Sequence, residues 1–404
     1  MNVLFLSSWF PCPPDNGSKL RVYHLLRALA QEHKVTLASF TFGSARPDEP
    51  DGLAGLLSAL YVVQVDPFLA NRTGLLRTFL STAPVASRPI PAMSQPVADL
   101  LQAAHFDAVI ASTEIMAHYA LSAPSGPARV LEEHNSPVRW LWERFRREEA
   151  PVQRMRCWLS WQKHRRYEAR LLRQFDLVTM VSEADRTATK EAIGAAKTAV
   201  EVVPNGVDCH CNYPGIAKVR PYDLIYSGAL TYSANYDAVC FFLAEVLPLI
   251  RREVVGVRLT ITGATDGVPL HNLPLDESVC LSGYVDDIRP YVSSAAVCIV
   301  PLREGGGTRL KILEAMALGT PVVSTTKGAE GLDVVHGKHL LIADEPERFA
   351  AYVVELLRRP ELRQHLAENA RRLVEQEYDW AGIGRRFVSL VEGAVRRRAS
   401  EALP

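Results

Sequence analysis

Residues Pro301–Ser324, with the sequence PLREGGGTRLKILEAMALGTPVVS, decide the fold class of this chain. They follow an apolar run, Val297–Val300, that predicts a buried strand. Three glycines then lead into a helical pattern. Four polar residues mark the beginning of this pattern: Thr308, Arg309, Lys311 and Glu314. A strand, a glycine-rich turn and a helix in this order are typical of a parallel α/β sheet.

The chemistry of the same stretch suggests a phosphate site. Glycines let the backbone approach an anion, and the first N–H groups of a helix have no internal partners. The helix dipole adds about half a positive charge there. At helical spacing Gly307, Lys311, Glu314 and Leu318 fall along one face, which matches a diphosphate joined to a hydroxyl-rich ring, as in a nucleotide sugar. An ordinary glycine turn before a solvated amphipathic helix gives the same pattern, so both interpretations stay open on these residues alone.

Composition limits the class of protein. The 404 residues allow two domains of about 100–200 residues each, and a hydrophobic content of 48% can fill two cores. Lys plus Arg equals Asp plus Glu at 45 each, so net charge favours neither nucleic acid nor an acidic partner. No apolar run reaches the length of about 18 residues needed to span a bilayer. The N-terminal MNVLFLSSWFPCPPD lacks a basic region and predicts a first strand, not a signal peptide.

The cysteines point to a reducing compartment. Their number is odd and their spacing irregular: Cys12, Cys157, Cys209, Cys211, Cys240, Cys280 and Cys298. This argues against a disulfide framework and favours a cytoplasmic location. Cys209, His210 and Cys211 are adjacent, but no second ligand pair has zinc-like spacing, so no metal site is expected.

Strand and helix patterns alternate along the whole chain. The strands predicted in the first half are Asn2–Ser7, Lys34–Ser39, Leu60–Val65, Asp107–Ala111, Arg129–Glu132 and Asp176–Val181. Those predicted in the second half are Asp223–Ser227, Val257–Thr262, Val279–Ser282, Val297–Val300 and Pro321–Thr325. Two such sets predict two doubly wound α/β domains, 1–205 and 206–379, divided at the Pro-Asn-Gly turn after Val203.

Residues 139–173 differ from the rest in composition. They contain 11 Arg or Lys against 4 Asp or Glu, with four tryptophans, Phe145 and Tyr167 interleaved. A basic, aromatic helical surface can lie on an anionic membrane, whereas two solvated helices with inward tryptophans would have the same composition. Nucleic acid is not expected as a partner, because no base-reading motif accompanies the patch.

Taken together, these segments resemble the retaining family 4 glycosyltransferases of the GT-B fold. Among them the chain looks closest to a bacterial branch with glycines followed by TRLKILEA. The similar segments are PPDNGSKLRVYHLLRALA, VVPNGVD, DLIYSGALTYSANYDAV, GYVDDIRPYV and EYDWAGIGRRF. The resemblance implies two Rossmann-like domains facing an interdomain cleft that closes around the substrates, with a terminal helix, 380–404, packing back on the first domain.

The resemblance also implies residue roles. Glu314 is expected to bind the ribose hydroxyls, and His134 to lie near the reacting sugar. The donor is expected to contact Gly17, Gly305, Gly306, Gly307, Thr308, Tyr284 and Val285. Glu114 and His118, which follow a predicted strand, are expected on the acceptor side.

The chain departs from the family pattern at two places. Many members carry a glutamate eight residues before the one matching Glu314, where this chain has Gly306, and Glu304 is a candidate replacement. The family's usual Arg and Lys after the first strand of the second domain are also missing: Ala229 stands where the Arg is expected, and Asn235 lies near the expected Lys. We therefore expect Arg309 and Lys311 to supply the positive charge that binds the diphosphate.

The resulting hypothesis is retaining transfer of a sugar from a nucleotide diphosphate sugar to an acceptor hydroxyl, in polysaccharide or glycoconjugate assembly. No cofactor is expected beyond the donor substrate, and no metal, because the chain has no Asp-x-Asp motif. The expected partners are the donor, a glycan or lipid-linked glycan acceptor and an anionic inner membrane face. A non-catalytic nucleotide-sugar binder and a GT-B sugar-nucleotide epimerase remain as alternatives. Nothing in the residues identifies the nucleotide, the sugar or the acceptor.

Overall fold

The computed structural model describes residues 1–43, 53, 55–70, 88–305 and 309–401. The chain folds into two compact units. Unit 1 comprises Met1–Pro204 together with Ile383–Pro404, and unit 2 comprises Asn205–Gly382. Each unit has its own hydrophobic core around a parallel sheet.

Unit 1 is built on a seven-stranded parallel sheet with strand order β3-β2-β1-β4-β5-β6-β7. Its strands are β1 (Asn2–Ser7), β2 (Lys34–Phe40), β3 (Ala59–Val63), β4 (Ala108–Ser112), β5 (Ala128–Glu132), β6 (Leu177–Met180) and β7 (Ala199–Val202). The central strands are apolar and buried because helices cover both faces of a parallel sheet. The direction of winding reverses between β1 and β4, and ligands bind at the carboxyl ends of strands at such a point.

The helices of unit 1 connect these strands in chain order. They are α1 (Gly17–Glu32), α2 (Pro67–Ala70), α3 (Pro91–Ala103), α4 (Glu114–Leu121), α5 (Pro137–Arg147), α6 (Pro151–Leu172) and α7 (Glu183–Ile193). The side chain of Asn16 caps α1 by accepting a hydrogen bond from the Lys19 N–H at 3.1 Å. This cap fixes the start of α1, directly after the loop that follows β1.

Unit 2 is built on a six-stranded parallel sheet with strand order β10-β9-β8-β11-β12-β13. Its strands are β8 (Arg220–Ser227), β9 (Arg258–Thr262), β10 (Val279–Gly283), β11 (Ala295–Val300), β12 (Val322–Ser324) and β13 (Leu341–Ile342). Here the winding reverses between β8 and β11. Two edge strands are missing from the sequence-based prediction: β13, whose two residues are too short for a recognisable strand pattern, and β7 of unit 1, whose four residues lie just before the Pro-Asn-Gly turn.

The helices of unit 2 are α8 (Ser233–Phe241), α9 (Leu247–Glu253), α10 (Arg289–Ser294), α11 (Leu310–Ala317), α12 (Pro346–Arg358) and α13 (Pro360–Leu373). Short segments of other helical types lie at Leu270–Asn272, Phe242–Val246 and Val374–Tyr378. The continuous stretch Ser233–Glu253 is long and apolar enough to cross a membrane by length and composition. Half of its apolar window is buried in the protein, where Phe242 and Ile250 belong to the core of unit 2.

The last helix, α14 (Trp380–Glu401), joins unit 1 from Ile383 onwards. It lies against α1 so closely that a Cβ added to Gly384 would be 2.6 Å from the Ala28 Cβ. Nearer its end, the Arg398 Nη1 lies 3.6 Å from an Asp176 carboxylate oxygen. The chain thus leaves unit 1 after Pro204 and returns to its core at Ile383.

Candidate functional site

The glycine-rich turn of unit 2 follows β11, at the point where the winding of the sheet reverses. Gly305 has a φ of 96°, and a Cβ there would lie 2.9 Å from the Tyr232 hydroxyl and 3.1 Å from the Ala234 Cβ. Only glycine fits this conformation without displacing the start of α8. The predicted donor contacts Gly306, Gly307 and Thr308 lie outside the described residues.

Arg309 immediately precedes α11, which begins at Leu310. Its side chain is buried, and its Nη2 donates to the Gly305 carbonyl at 2.8 Å and towards the Glu304 carbonyl at 3.4 Å. The guanidinium therefore folds back onto the turn and holds the backbone carbonyls of Glu304 and Gly305. The sequence pattern placed Arg309 within the helix and gave no indication of this bracing contact.

Lys311 extends from the first turn of α11 towards the β8 side of the sheet. Its Nζ donates to the Asn235 Oδ1 at 3.1 Å and lies 4.1 Å from the centre of the Tyr226 ring. A Cβ on Gly228 would lie 2.7 Å from this Nζ, so the glycine after β8 leaves room for the ammonium group. Burial, reinforced by the positive charge of Arg309, lowers the pKa of Lys311 to about 7. A neighbouring anion would raise this pKa again.

Glu314 lies one turn further along α11 and is half-buried. Burial raises the pKa of its carboxyl group, and the positive charge of Lys311 opposes that rise. No described residue donates a hydrogen bond to this carboxylate. Its acceptor oxygens are thus available to hydroxyl groups of a ligand.

Two further donor-side predictions fall at the end of β10. Gly283 has a φ of 69°, which turns the chain out of the strand. Tyr284 is two-thirds exposed and Val285 is half-buried. Both side chains lie at the carboxyl edge of the sheet but two strands from β8, the strand beside which Lys311 lies.

In unit 1, His134 follows β5 and belongs to a buried polar network. Its Nε2 lies 3.1 Å from a Glu132 carboxylate oxygen and 3.0 Å from the Ser112 hydroxyl. The Arg21 Nε donates to the other oxygen of Glu132 at 2.5 Å, and both members of this pair are fully buried. Burial alone would raise the pKa of Glu132, but the charges of Arg21 and His134 lower it to about 2.

Arg21 links this network to the end of the first segment of unit 1. Its Nη2 donates to the Val203 carbonyl at 2.8 Å, and its Nη1 donates to the Pro204 carbonyl at 3.0 Å. The guanidinium therefore binds Glu132 and the linker backbone at the same time. The sequence indicated Glu132 as a neighbour of His134 but not Arg21 or Ser112, which are distant in the chain.

The predicted acceptor residues Glu114 and His118 lie on α4 and face α6. The His164 Nε2 lies 3.2 Å from a Glu114 carboxylate oxygen, and the Tyr167 hydroxyl lies 3.1 Å from the His118 Nε2. Burial lowers the pKa of His118. Gly17 is not part of this group and forms the first residue of α1, after β1.

Further acidic side chains surround Glu114. Burial raises the pKa of Glu133 well above its usual value, and the charges of Glu114 and Glu168 add to this effect. Burial also raises the pKa of Glu168, to about 7. Neither His164 nor Glu168 was identified from the sequence, because their basic helix has the composition of a surface helix.

The basic segment 139–173 forms α5 and α6. Trp140, Trp142 and Trp158 are exposed, contrary to the inward packing expected of two ordinary solvated helices. Trp142 packs against Trp161, with ring centres 4.6 Å apart and ring planes inclined at 41°. We call the exposed side of this helix pair, which also carries Val152, Met155 and Leu159, the α5–α6 surface.

Comparisons with known proteins match each unit to a family. Residues 16–210 match the model described as Glycosyltransferase Family 4, and residues 221–359 match the model described as Glycosyl transferases group 1. HepE from Anabaena in complex with UDP has a similar structure, with a TM-score of 0.67 and 18% sequence identity. The alignment covers 97% of this chain and 100% of HepE. At this level of identity the similarity establishes the fold.

Curated relatives match over part of their length. An uncharacterized 44.6 kDa protein in the cps region of Klebsiella pneumoniae is 26% identical over 39% of this chain and 42% of its own length. An MMP alpha-(1->4)-mannosyltransferase of Mycolicibacterium hassiacum is 27% identical over 58% of each chain. The chain spans about half the length of these relatives. The two family models and the GT-B architecture together place this chain in the family 4-type glycosyltransferases of the GT-B fold.

Proposed function

We propose that this protein transfers a sugar from a nucleotide diphosphate sugar to an acceptor hydroxyl and retains the anomeric configuration. The observation that carries the proposal is the position of Lys311 beside Asn235 and Gly228, with Glu314 one turn further along α11. A cation followed by a carboxylate that accepts no hydrogen bond from the described residues suits a diphosphate followed by ribose hydroxyls. We assign the donor to unit 2 and the acceptor to unit 1.

In the proposed reaction the bond between the anomeric carbon and the diphosphate oxygen breaks, and the acceptor oxygen bonds to that carbon on the same face. The acceptor proton passes to the departing diphosphate oxygen. Lys311 stabilises the negative charge that develops on this diphosphate, together with the first N–H groups of α11. Arg309 contributes charge and holds the turn, and His134 contacts the transferred sugar.

No metal is assigned to the reaction, because a lysine and a helix N-terminus supply the charge that a divalent ion would otherwise provide. Activity measured after treatment with EDTA tests this assignment. We expect turnover to continue, and a strict requirement for Mg²⁺ would contradict it.

The donor is the first point to determine experimentally. HepE was solved with UDP and a matched relative is a mannosyltransferase, so sugars of UDP, GDP, ADP and dTDP form the test panel for thermal stabilisation. We expect one nucleotide to stabilise the wild type and to stabilise the Glu314→Gln variant less. The loss of charged hydrogen bonds to the ribose is worth about 1.5–3 kcal/mol each, or more than tenfold in affinity.

Activity assays separate catalysis from its alternatives. A non-catalytic nucleotide-sugar binder is the first alternative, because Gly306 stands where many family members carry a carboxylate. A transferase releases nucleotide diphosphate in proportion to acceptor consumed, a binder releases none, and an epimerase converts the donor without acceptor. Nucleotide release that is independent of any acceptor glycan would contradict the proposal.

We further propose a lipid-linked glycan acceptor and a cytoplasmic, peripheral position at the inner membrane face. The support is the α5–α6 surface, where the Arg144 guanidinium lies 5.7 Å from the Trp140 ring centre and Arg154 lies 5.2 Å from that of Phe145. Exposed tryptophans surrounded by arginines suit an anionic lipid interface.

Vesicle flotation tests this surface. We expect binding to vesicles that contain phosphatidylglycerol and weak binding to phosphatidylcholine alone. Trp140→Ala with Trp158→Ala should reduce flotation, whereas Tyr222→Ala, at a similarly exposed aromatic residue of unit 2, should not. Equal flotation of wild type and the tryptophan variant would contradict this assignment.

A further inference from the structure

A group of potential metal ligands lies where α1 ends against α14. Glu32 and His33 are at the carboxyl end of α1, and Glu392 comes from α14. Each offers one ligand atom, and the three atoms lie within 4.8 Å of one another. Among the described residues this is the one group of three His, Cys, Asp or Glu side chains with that spacing.

His33 is the unusual member of the group. Its side chain is only 7% exposed, and both ring nitrogens are buried without a hydrogen-bond partner among the described residues. A buried polar group without such a partner costs stability, so native proteins normally supply one. The buried imidazole therefore indicates that a ligand from outside the protein binds at this position.

The spacing of the His33 and Glu392 ligand atoms suits a tetrahedral ion. The His33 Nε2 lies 3.4 Å from the Glu392 Oε1, and this contact does not have hydrogen-bond geometry. Bonds of about 2.0–2.1 Å to Zn²⁺ place neighbouring tetrahedral ligands about 3.3–3.4 Å apart. A neutral imidazole with two carboxylates also balances the charge of a divalent cation.

The surroundings of the group leave one side open. The Arg396 Nη1 lies 3.5 Å from the Glu392 Oε2, which leaves Oε1 directed to His33. Glu32 is exposed and, with His33 and Lys34, lines an open groove that gives an ion access from solvent.

We propose that Glu32, His33 and Glu392 bind a divalent transition-metal ion of the Zn²⁺ type, with water completing the coordination. Imidazole favours such an ion over Ca²⁺ or Mg²⁺, which prefer oxygen ligands. The ion joins the end of α1 to α14 and so secures the returning helix on unit 1. Because α1 runs from the carboxyl end of β1 to the amino end of β2, this site lies at the opposite edge of the sheet from His134. It is independent of the proposed transfer reaction.

The test uses untagged full-length protein that has been stripped with a chelator and dialysed. Calorimetric titration with Zn²⁺ should show one bound equivalent, and Co²⁺ should give the visible absorption of a tetrahedral site. Zn²⁺ should also raise the thermal midpoint by several degrees, since binding to the folded state stabilises it. Binding of Mg²⁺ with equal affinity, or no stoichiometric binding of Zn²⁺, would overturn the proposal.

Variants connect binding to the three side chains. Glu32→Gln alters an exposed residue and leaves the His33–Glu392 pair in place, so it should fold normally and lose at least tenfold in Zn²⁺ affinity. His33→Ala should abolish the Co²⁺ absorption. His105→Ala, at a histidine that is 82% exposed, should bind as the wild type does. Unchanged Zn²⁺ affinity in both Glu32→Gln and His33→Ala would show that the metal binds elsewhere.

Discussion

The ammonium group of Lys311 on α11 lies 3.1 Å from the amide oxygen of Asn235 on α8. Asn235 is close to the position at which the family resemblance leads one to expect a lysine. The side chain of Lys311 thus brings positive charge from a different helix to the same place beside β8. Gly228 makes this arrangement feasible, because any larger residue there would displace the ammonium group.

The first prediction concerns the loss of this charge. Lys311→Ala should lower kcat about 10²–10³-fold, the range typical for removal of one group that stabilises developing negative charge. Lys311→Arg should retain part of the activity. Steady-state kinetics with saturating donor and acceptor measure the effect. Lys338→Ala, at an exposed lysine of the same unit, is the control, and equal rates for Lys311→Ala and this control would exclude the proposed role.

The second prediction concerns pH. The pKa of Lys311 is lowered to about 7, so the free protein loses this positive charge above that pH. A diphosphate binds the protonated form better, and the donor KM should therefore rise about tenfold per pH unit above pH 7. In Lys311→Arg the guanidinium stays charged, so its donor KM should remain nearly constant over the same range. Parallel KM profiles for the two proteins would show that another group titrates.

The third prediction concerns the buried pair of Arg21 and Glu132. Arg21→Met leaves the Glu132 carboxylate without its guanidinium and should destabilise the protein by about 3–5 kcal/mol. Urea denaturation measures this loss. Arg27→Met removes an exposed arginine from the same helix and should change stability by less than about 0.5 kcal/mol.

The same pair gives an acid dependence with a definite sign. Because the pKa of Glu132 is lowered from 4.5 to about 2, its ionised form stabilises the fold above pH 4.5. This contribution is lost as the pH falls towards 2. Without Arg21 the pKa of Glu132 rises, so acid unfolding of Arg21→Met should have a higher pH midpoint. An unchanged midpoint would mean that Arg21 does not set the charge state of Glu132.

The fourth prediction uses two glycines of α14. Alanine is favoured over glycine in a helix by about 1 kcal/mol, yet a Cβ at Gly384 would lie 2.6 Å from the Ala28 Cβ. Gly384→Ala should therefore separate α14 from α1 and lower the thermal midpoint by several degrees. Gly393→Ala meets only the flexible end of Arg397, at 3.4 Å, and should leave the midpoint unchanged or raise it. If both substitutions raise the midpoint, α14 does not pack on α1 as described.

Most of the fold could be predicted from the sequence because parallel sheets have strong local patterns. The predicted strand Asn2–Ser7 has the bounds of β1, and the other predicted strands differ from the observed ones by a few residues at their ends. Strands β7 and β13 were not predicted, since these short edge strands are held by pairing with β6 and β12. The exposure of the tryptophans on α5 and α6 could not be predicted either, because composition does not specify which face of a helix packs against the protein.

The sequence by itself determined the two α/β units, the glycine turn before α11 and the order of cation and carboxylate along that helix. These features depend on residues that are close in the chain, where periodicity and glycine conformation decide the local structure. Only the tertiary structure decided that Lys311 lies beside Asn235, that Arg21 binds Glu132 and that Glu392 lies beside His33. Each of these pairs joins separate elements, and their contact depends on how the helices pack on the sheet. The sequence therefore suggested which groups perform the chemistry, and packing decided which of them meet.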